Sequence, residues 1–280
     1  MTVSSKHADK IAALQRPDGG WGRFHSMARP TPADPLTTEK ALRRLLALGL
    51  TRDDAPIKKA LVYMRGALSG AVKLPDRREK VINWDFFEKM MLAAWIKKFC
   101  PDDAQAAEIS NFWGSLIAAA LSSGGFSAAA YEKEYRRRVP KLNSGERLIA
   151  VSQFYMVTLL PNVLEPDTET KFFNYILNHP AGVYYVYDKP LSLLPESFCG
   201  AETVRYLAAL EYMSGFSCAP KLLGFAADFI NTNRGADGWD LGAGSKDGVY
   251  LPLSDSWRTP ALRKADCTAF VQRILNKIQK

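Results

Sequence analysis

The side chains with chemical potential crowd into two stretches of the sequence. Between residues 231 and 267, NTNRGADGWDLGAGSKDGVYLPLSDSWRTPALRKADC sets Asp237, Asp240, Asp247 and Asp255 among Trp239, Tyr250, Trp257 and Arg258. Upstream, YYVYDKPLSLLPES brings Tyr184, Tyr185 and Tyr187 beside Asp188 and Glu196. Aromatic faces next to carboxylates suit a sugar ring, through stacking and hydroxyl hydrogen bonds, and suit equally the guidance of a carbocation. Asp188, Glu196, Asp240 and Asp255 are therefore the candidate general acids and bases. Tyr185, Tyr187, Asp237, Trp239, Tyr250, Trp257 and Arg258, with Trp21 from a related turn near the N-terminus, are candidate ligand contacts. The competing reading is that the aspartates cap turns and the aromatics staple loops to a scaffold. Length argues for a role: helix connectors run about 2–8 residues, and this one runs to about thirty before helix signals resume near Pro260.

Other chemistries find fewer footholds. The histidines are His7, His25 and His179, and none follows Asp266-Cys267, whereas a tetrahedral zinc site needs three or four placed ligands. No metal and no other cofactor is expected. Cys199 follows Glu196-Ser-Phe without a histidine nearby in sequence to activate it. No glycine-rich phosphate loop, GxSxG elbow or HExxH segment occurs. Asp53-Asp54 and Asp102-Asp103 stand where helices begin, which fits capping.

The elements that must position these residues are helical. Segment 6–15 is amphipathic, with Ile11 and Leu14 inward. Thr37 or Thr38 caps a helix whose Ala41, Leu42, Leu45, Leu46 and Leu48 form an apolar stripe that Gly49 ends. Asp54 followed by Pro56 starts the next. Trp84, Phe87, Met91 and Trp95 recur at helical spacing within 79–99, and Pro101-Asp102-Asp103 opens another helix. Further helices are expected over 127–138, 144–160, 167–178, 201–214, 219–232 and 260–278, while the β-branched and aromatic run 183–187 reads as extended. About eleven helices with short connections make the class all-α.

Composition agrees with a folded chain. Hydrophobic content of 47% and charged content of 24% are those of a globular protein, and 280 residues lie near the upper limit of one core. No linker divides the sequence, so a single domain over 1–280 is expected. MTVSSKHADKIAALQ lacks the apolar run of a signal peptide, and no stretch is long and apolar enough to span a bilayer. Cys100, Cys199, Cys218 and Cys267 are scattered singly, as free thiols of a cytoplasmic protein would be. The net charge of +8 comes largely as doublets (Arg43-Arg44, Lys58-Lys59, Arg77-Arg78, Lys97-Lys98) and the run Arg136-Arg137-Arg138, read as solvated helix faces. No nucleic-acid-binding module is present, so the expected partner is a small molecule and not a nucleic acid. The oligomeric state is left open.

So many short-linked helices suit an α/α toroid of about six helical hairpins, with an open α-solenoid and an irregular bundle as alternatives. Here a local motif bears on the choice. Gln15-x-x-x-Gly19-x-Trp21, with Ile11 upstream, resembles the QxxxGxW core of the repeat in squalene and hopene cyclases. Gln15-Arg-Pro-Asp18-Gly-Gly-Trp21 is also similar to a turn in the β-subunits of protein prenyltransferases, and Asp237-Gly238-Trp239 looks like a decayed second copy. The resemblance covers about ten residues and implies a toroid with its long loops at one end and an organic ligand, isoprenoid or similar, in a central pocket. It does not bring the catalysis, because no DxDD occurs and the prenyltransferase zinc ligands are incomplete. Three functions are therefore expected in turn: a divergent toroid protein binding or acting on a small organic ligand, a glycan-processing enzyme with paired carboxylates, and a non-catalytic binding or scaffold protein.

Overall fold

A computed structural model describes residues 6–254 and 256–280. Among the described residues there are twelve α-helices and no strand, only two isolated bridges. The chain divides into two compact units, each assembled from separated segments.

The first unit comprises Met1–Arg77, Cys199–Val204 and Gly238–Phe270. It contains α1 (Lys6–Ala13), α2 (Thr38–Ala47) and α3 (Ala55–Leu68). Thr37 caps α2 by accepting from the Lys40 amide, and Gly49, at a φ of 87°, ends the turn after it. Pro56 occupies the first turn of α3, where its missing N–H costs nothing. Leu42 and Leu45 of α2 and Ile57 and Leu61 of α3 are buried on those helices' apolar faces.

Arg43 and Arg44 depart from the solvated-doublet reading. They are 8% and 5% exposed. Glu39, itself buried, faces Arg43 one turn away at 3.7 Å, and Arg44 donates through Nη2 to the Pro252 carbonyl. A guanidinium left in the interior must find such acceptors, since desolvation disfavours its charge. Burial accordingly pulls the Arg44 pKa down, against the opposing fields of Asp247 and Asp266.

The second unit comprises Arg78–Phe198, Arg205–Asp237 and Val271–Lys280. Its centre is α4 (Trp84–Phe99), with ten of sixteen residues buried, as a helix enclosed on most sides requires. Against it pack α5 (Ala104–Ala120) and α7 (Phe154–Leu159), α6 (Ala128–Arg138) packs on α5, and α8 (Pro166–Leu177) follows α7 in the chain. Asn83, Asp103 and Ser127 cap α4, α5 and α6. Trp95 meets Phe154 edge to face at 6.2 Å, and Phe173 meets Phe216 likewise at 5.8 Å. Helix α9 (Ala201–Met213) carries Glu211. Burial would push this carboxyl up, but Arg273, Lys277 and Lys98 outweigh it and hold the pKa at about 2.

Three segments differ from their expected form. The run 144–160 yields only the six residues of α7. Ahead of it the backbone is spent on distant partners: Arg147 N–H donates to Val81 O at 2.7 Å, Ile149 O accepts from Tyr131 Oη at 2.7 Å, and Ser152 O accepts from Tyr184 N–H at 2.8 Å. With β-branched Ile149 and Val151 in this stretch, an extended course is also the locally easier one. The segment 219–232 breaks at Leu223 into α10 (Ala219–Leu222) and α11 (Gly224–Thr232), a joint next to a glycine. The run 183–187 is a tight turn: Val186 and Tyr187 both donate to Val183 O, and Tyr185 takes a φ of 68°. Lys97 is another exception to the solvated doublets. It closes α7 by donating to Leu159 O and Pro161 O at 2.5 and 3.1 Å, and burial lowers its pKa to about 8. Helix α12 (Pro260–Ile278) ends the chain.

Candidate functional site

The turn containing Trp21 is a closed web. Gln15 Nε2 donates to Gly19 O at 2.9 Å and to Pro56 O at 2.8 Å. Gly19 has a φ of 96°, and a methyl group there would fall 2.4 Å from Lys59 O, so both conformation and space demand glycine. Trp21, 1% exposed, donates its backbone N–H to Thr38 Oγ1 at 2.9 Å and its indole N–H to Ile11 O at 2.7 Å. Ile11, Gln15, Gly19 and Trp21, the four positions of the sequence motif, thus belong to one bonded unit.

The turn at Trp239 repeats the device. Gly238 has a φ of 111°, and a methyl group there would lie 2.3 Å from Thr268 Oγ1 on α12. Trp239, fully buried, donates its backbone N–H to that hydroxyl at 3.0 Å, and the hydroxyl donates back to Trp239 O at 3.2 Å. In the first turn Gly19 makes room for α3 while Thr38, at the start of α2, accepts the tryptophan amide; in the second, Thr268 of α12 meets both the glycine and the amide.

Around the second turn the carboxylates act as internal acceptors. Asp240 takes both prongs of Arg263, Nε and Nη2, at 2.8 Å each, and the Gly242 amide at 2.9 Å. The Arg263 hydrogen bond holds the Asp240 pKa below the usual carboxylate value despite partial desolvation. Asp247 Oδ1 collects the amides of Val249, Tyr250 and Leu251 at 3.0, 2.9 and 3.1 Å. Asp266 Oδ2 accepts from Leu253 N, Ser254 N, Ser254 Oγ and Trp257 Nε1, all within 2.9 Å. This network ties residues 249–254 and Trp257 to Asp247 and to Asp266 of the helix that follows. Tyr250 is buried against Phe270, with ring centroids 6.1 Å apart, while Arg258 is exposed. Asp255 lies outside the described residues.

Other candidate residues occupy the second unit. Tyr187 is buried edge to face with Tyr206 at 5.5 Å, and Tyr185 is half-buried with its ring 4.2 Å from that of Tyr184, which is 41% exposed. Asp188 and Glu196 are exposed and make no hydrogen bond or ion pair among the described residues. Asp237 is exposed at the end of this unit. The structure therefore joins Trp239, Asp240, Tyr250 and Trp257 in one loop of the first unit, and Tyr185, Tyr187, Asp188 and Glu196 in one loop of the second.

A feature not foreseen from the sequence lies beside the first turn. A cavity of about 110 Å³ is bounded by Arg16, Arg23, Arg29, Thr31, Asp34 and Thr37. Arg16 faces Asp18 at 3.6 Å and Asp34 at 3.7 Å, both long for ion pairs. Beneath the loop, Asp76 accepts the amides of Phe24 and His25 at 2.6 and 2.9 Å, and burial raises its pKa against those bonds. The cavity's lining residues are spread between 16 and 75, so no local sequence signal marks it.

A second cavity, of about 220 Å³, opens by Pro166, Thr170, Ser217, Cys218 and Lys221. Burial and the neighbouring Glu169 push the Cys218 thiol pKa up, which disfavours the reactive thiolate there. Among the described residues, no group of three or more His, Cys, Asp or Glu is placed to hold a metal ion, and no helix is long and apolar enough to cross a membrane.

No protein-family model matches this chain, and neither a curated protein nor a solved structure matches it.

Proposed function

We propose that this protein is a ligand-binding member of the toroid class that includes the squalene and hopene cyclases and the protein prenyltransferase β-subunits. In this reading the 280 residues form one α/α toroid of about six hairpins, and the two glycine–tryptophan turns are copies of one repeat. The all-helical chain and the shared use of a threonine hydroxyl under Trp21 and Trp239 support that kinship. Four free cysteines suit a cytoplasmic location.

Binding, in preference to turnover, is supported chiefly by the state of the Asp240 carboxylate. A general acid or base needs a pKa brought toward the working pH and an unspent face toward substrate. Asp240 has the reverse, a pKa driven down and both oxygens bonded to Arg263. Its neighbours Asp247 and Asp266 each have one oxygen engaged, Asp247 by amides and Asp266 by amide, hydroxyl and indole donors. These groups order a long loop, offsetting a conformational entropy of about 1–2 kcal/mol per residue.

Glycan processing stands as the second reading, because Asp188 and Glu196 remain exposed on one loop beside the Tyr184–Tyr185 ledge. Both readings meet in one experiment. The purified protein is incubated with farnesyl diphosphate, squalene and a panel of oligosaccharides, alongside Asp240→Asn and the double variant Asp188→Asn, Glu196→Gln. The binding reading expects no product from any of them. Sugar release lost in the double variant would establish the glycan reading, and isoprenoid turnover lost in Asp240→Asn would establish catalysis at the C-terminal loop.

A further inference from the structure

The lining of the cavity beside the Trp21 turn has an imbalance of charge. Three guanidiniums, Arg16, Arg23 and Arg29, bound it against one lining carboxylate, Asp34. Arg16 is the partly neutralised one, through Asp34 and Asp18. Arg23 and Arg29 are exposed and form no ion pair or side-chain hydrogen bond among the described residues, although Asp76 lies within Coulombic reach of Arg23. Elsewhere in this unit, Arg263 has its own carboxylate at 2.8 Å and Arg44 its carbonyl.

From this geometry we infer that the cavity bounded by Arg16, Arg23 and Arg29 binds a phosphate monoester carried by a small organic molecule. The lining carries three positive charges and one negative; Asp18 beside Arg16 and Asp76 near Arg23 offset part of that excess, and a phosphate monoester, at about −1.5 to −2, supplies the counter-charge and acceptors for what remains at Arg23 and Arg29. Guanidinium forks match phosphate oxygens two at a time, which a lysine-lined site would not do. The hydroxyls of Thr31 and Thr37 stand on the same wall, although Thr37 Oγ1 already caps α2. The first amides of α2 are not the donors, since Thr38 and Glu39 N–H are taken by Arg23 O and Phe24 O. Specificity then rests with the arginines. A space of about 110 Å³ takes the phosphate group, and the organic part projects toward solvent between the exposed Arg23 and Arg29.

This assignment names the ligand class of the binding reading above and rests on it only for the absence of turnover. Isothermal titration of the full chain with inorganic phosphate, glycerol 3-phosphate and acetate tests it. Both phosphates should bind and acetate should bind at least tenfold more weakly, while Arg23→Gln and Arg29→Gln should each weaken phosphate at least about tenfold with melting temperature unchanged. Tighter binding of glycerol 3-phosphate than of inorganic phosphate assigns the organic ester as ligand. Equal affinity for all three anions, or wild-type affinity in both arginine variants, overturns the site and leaves the binding reading in place with another ligand. Hydrolysis of glycerol 3-phosphate that survives both substitutions would end the binding reading without rescuing this site.

Discussion

The two glycine–tryptophan turns of the first unit are built alike and surrounded differently. Each buries its indole, each sets a positive-φ glycine against a neighbouring backbone or hydroxyl, and each hands the tryptophan amide to a threonine. Their charged neighbours diverge. Around Trp239 the carboxylates are engaged, Asp240 by Arg263 and Asp266 by Trp257 and Ser254. Around Trp21, two arginines line a cavity without an ion pair or side-chain hydrogen bond among the described residues. The turn itself is therefore a structural device that can be used twice, and function has to be sought in what borders it. A loop that satisfies its own charges is ordered by them, whereas one that leaves them unmatched holds a place for a counter-charge.

The sharpest way to break the likeness is to remove the staples. Trp21→Ala and Trp239→Ala should each cost about 3–5 kcal/mol in urea denaturation, since both rings are fully enclosed. A loss under 1 kcal/mol at Trp239 alone would make the second turn an ornament and not a copy. Next in size are the glycines. Gly19→Ala and Gly238→Ala place a methyl group 2.4 and 2.3 Å from Lys59 O and Thr268 Oγ1 at positive φ, and each should cost about 1–3 kcal/mol. The Gly238 loss should be the smaller of the two, because a threonine rotamer yields more readily than a backbone carbonyl.

Much of this architecture is legible in the sequence. Thr37, Asp103 and Ser127 announce their helices because a cap is a local bond, closed within three residues. The Gln15–Trp21 motif is legible through its local part, such as the bond from Gln15 to Gly19, while Thr38 and Pro56 complete it from farther along. What escapes is whatever is decided by distant partners. The segment 144–153 looks like the start of an apolar helix, yet its carbonyls and amides are claimed by Val81, Tyr131 and Tyr184. Arg43-Arg44 reads as a solvated pair, yet it is covered, and Arg44 reaches the Pro252 carbonyl. The arginine cavity draws its walls from residues between 16 and 75, and no local pattern joins them. The candidate carboxylates were recognisable as a group, but whether each was free or spent depended on bonds such as Asp240 to Arg263 that only the fold supplies.

The charge difference between the turns gives the smaller effects. Because the Asp240 pKa is depressed in the folded state, its ionised form stabilises the protein above the ordinary carboxylate value, and that contribution fades as pH falls below about 4. The pair is partly exposed, so Asp240→Asn should cost only about 1 kcal/mol at pH 7 in thermal or urea denaturation, with the gap to wild type closing toward pH 2. A gap that widens on acidification would contradict the assigned sign. Arg258→Ala, on an exposed side chain of the same loop, should change stability by less than about 0.5 kcal/mol.

The central claim is that the first turn keeps its charge for a ligand and the second does not. NMR of the full chain with backbone amide and arginine Nε labels, titrated with inorganic phosphate, addresses it directly. The expected result is saturable shifts at Arg23 and Arg29 Nε and at amides of residues 16–38, with the Arg263 Nε and Trp239 signals unmoved. Equal shifts at Arg263, or no saturable shift at Arg23 and Arg29, would contradict it.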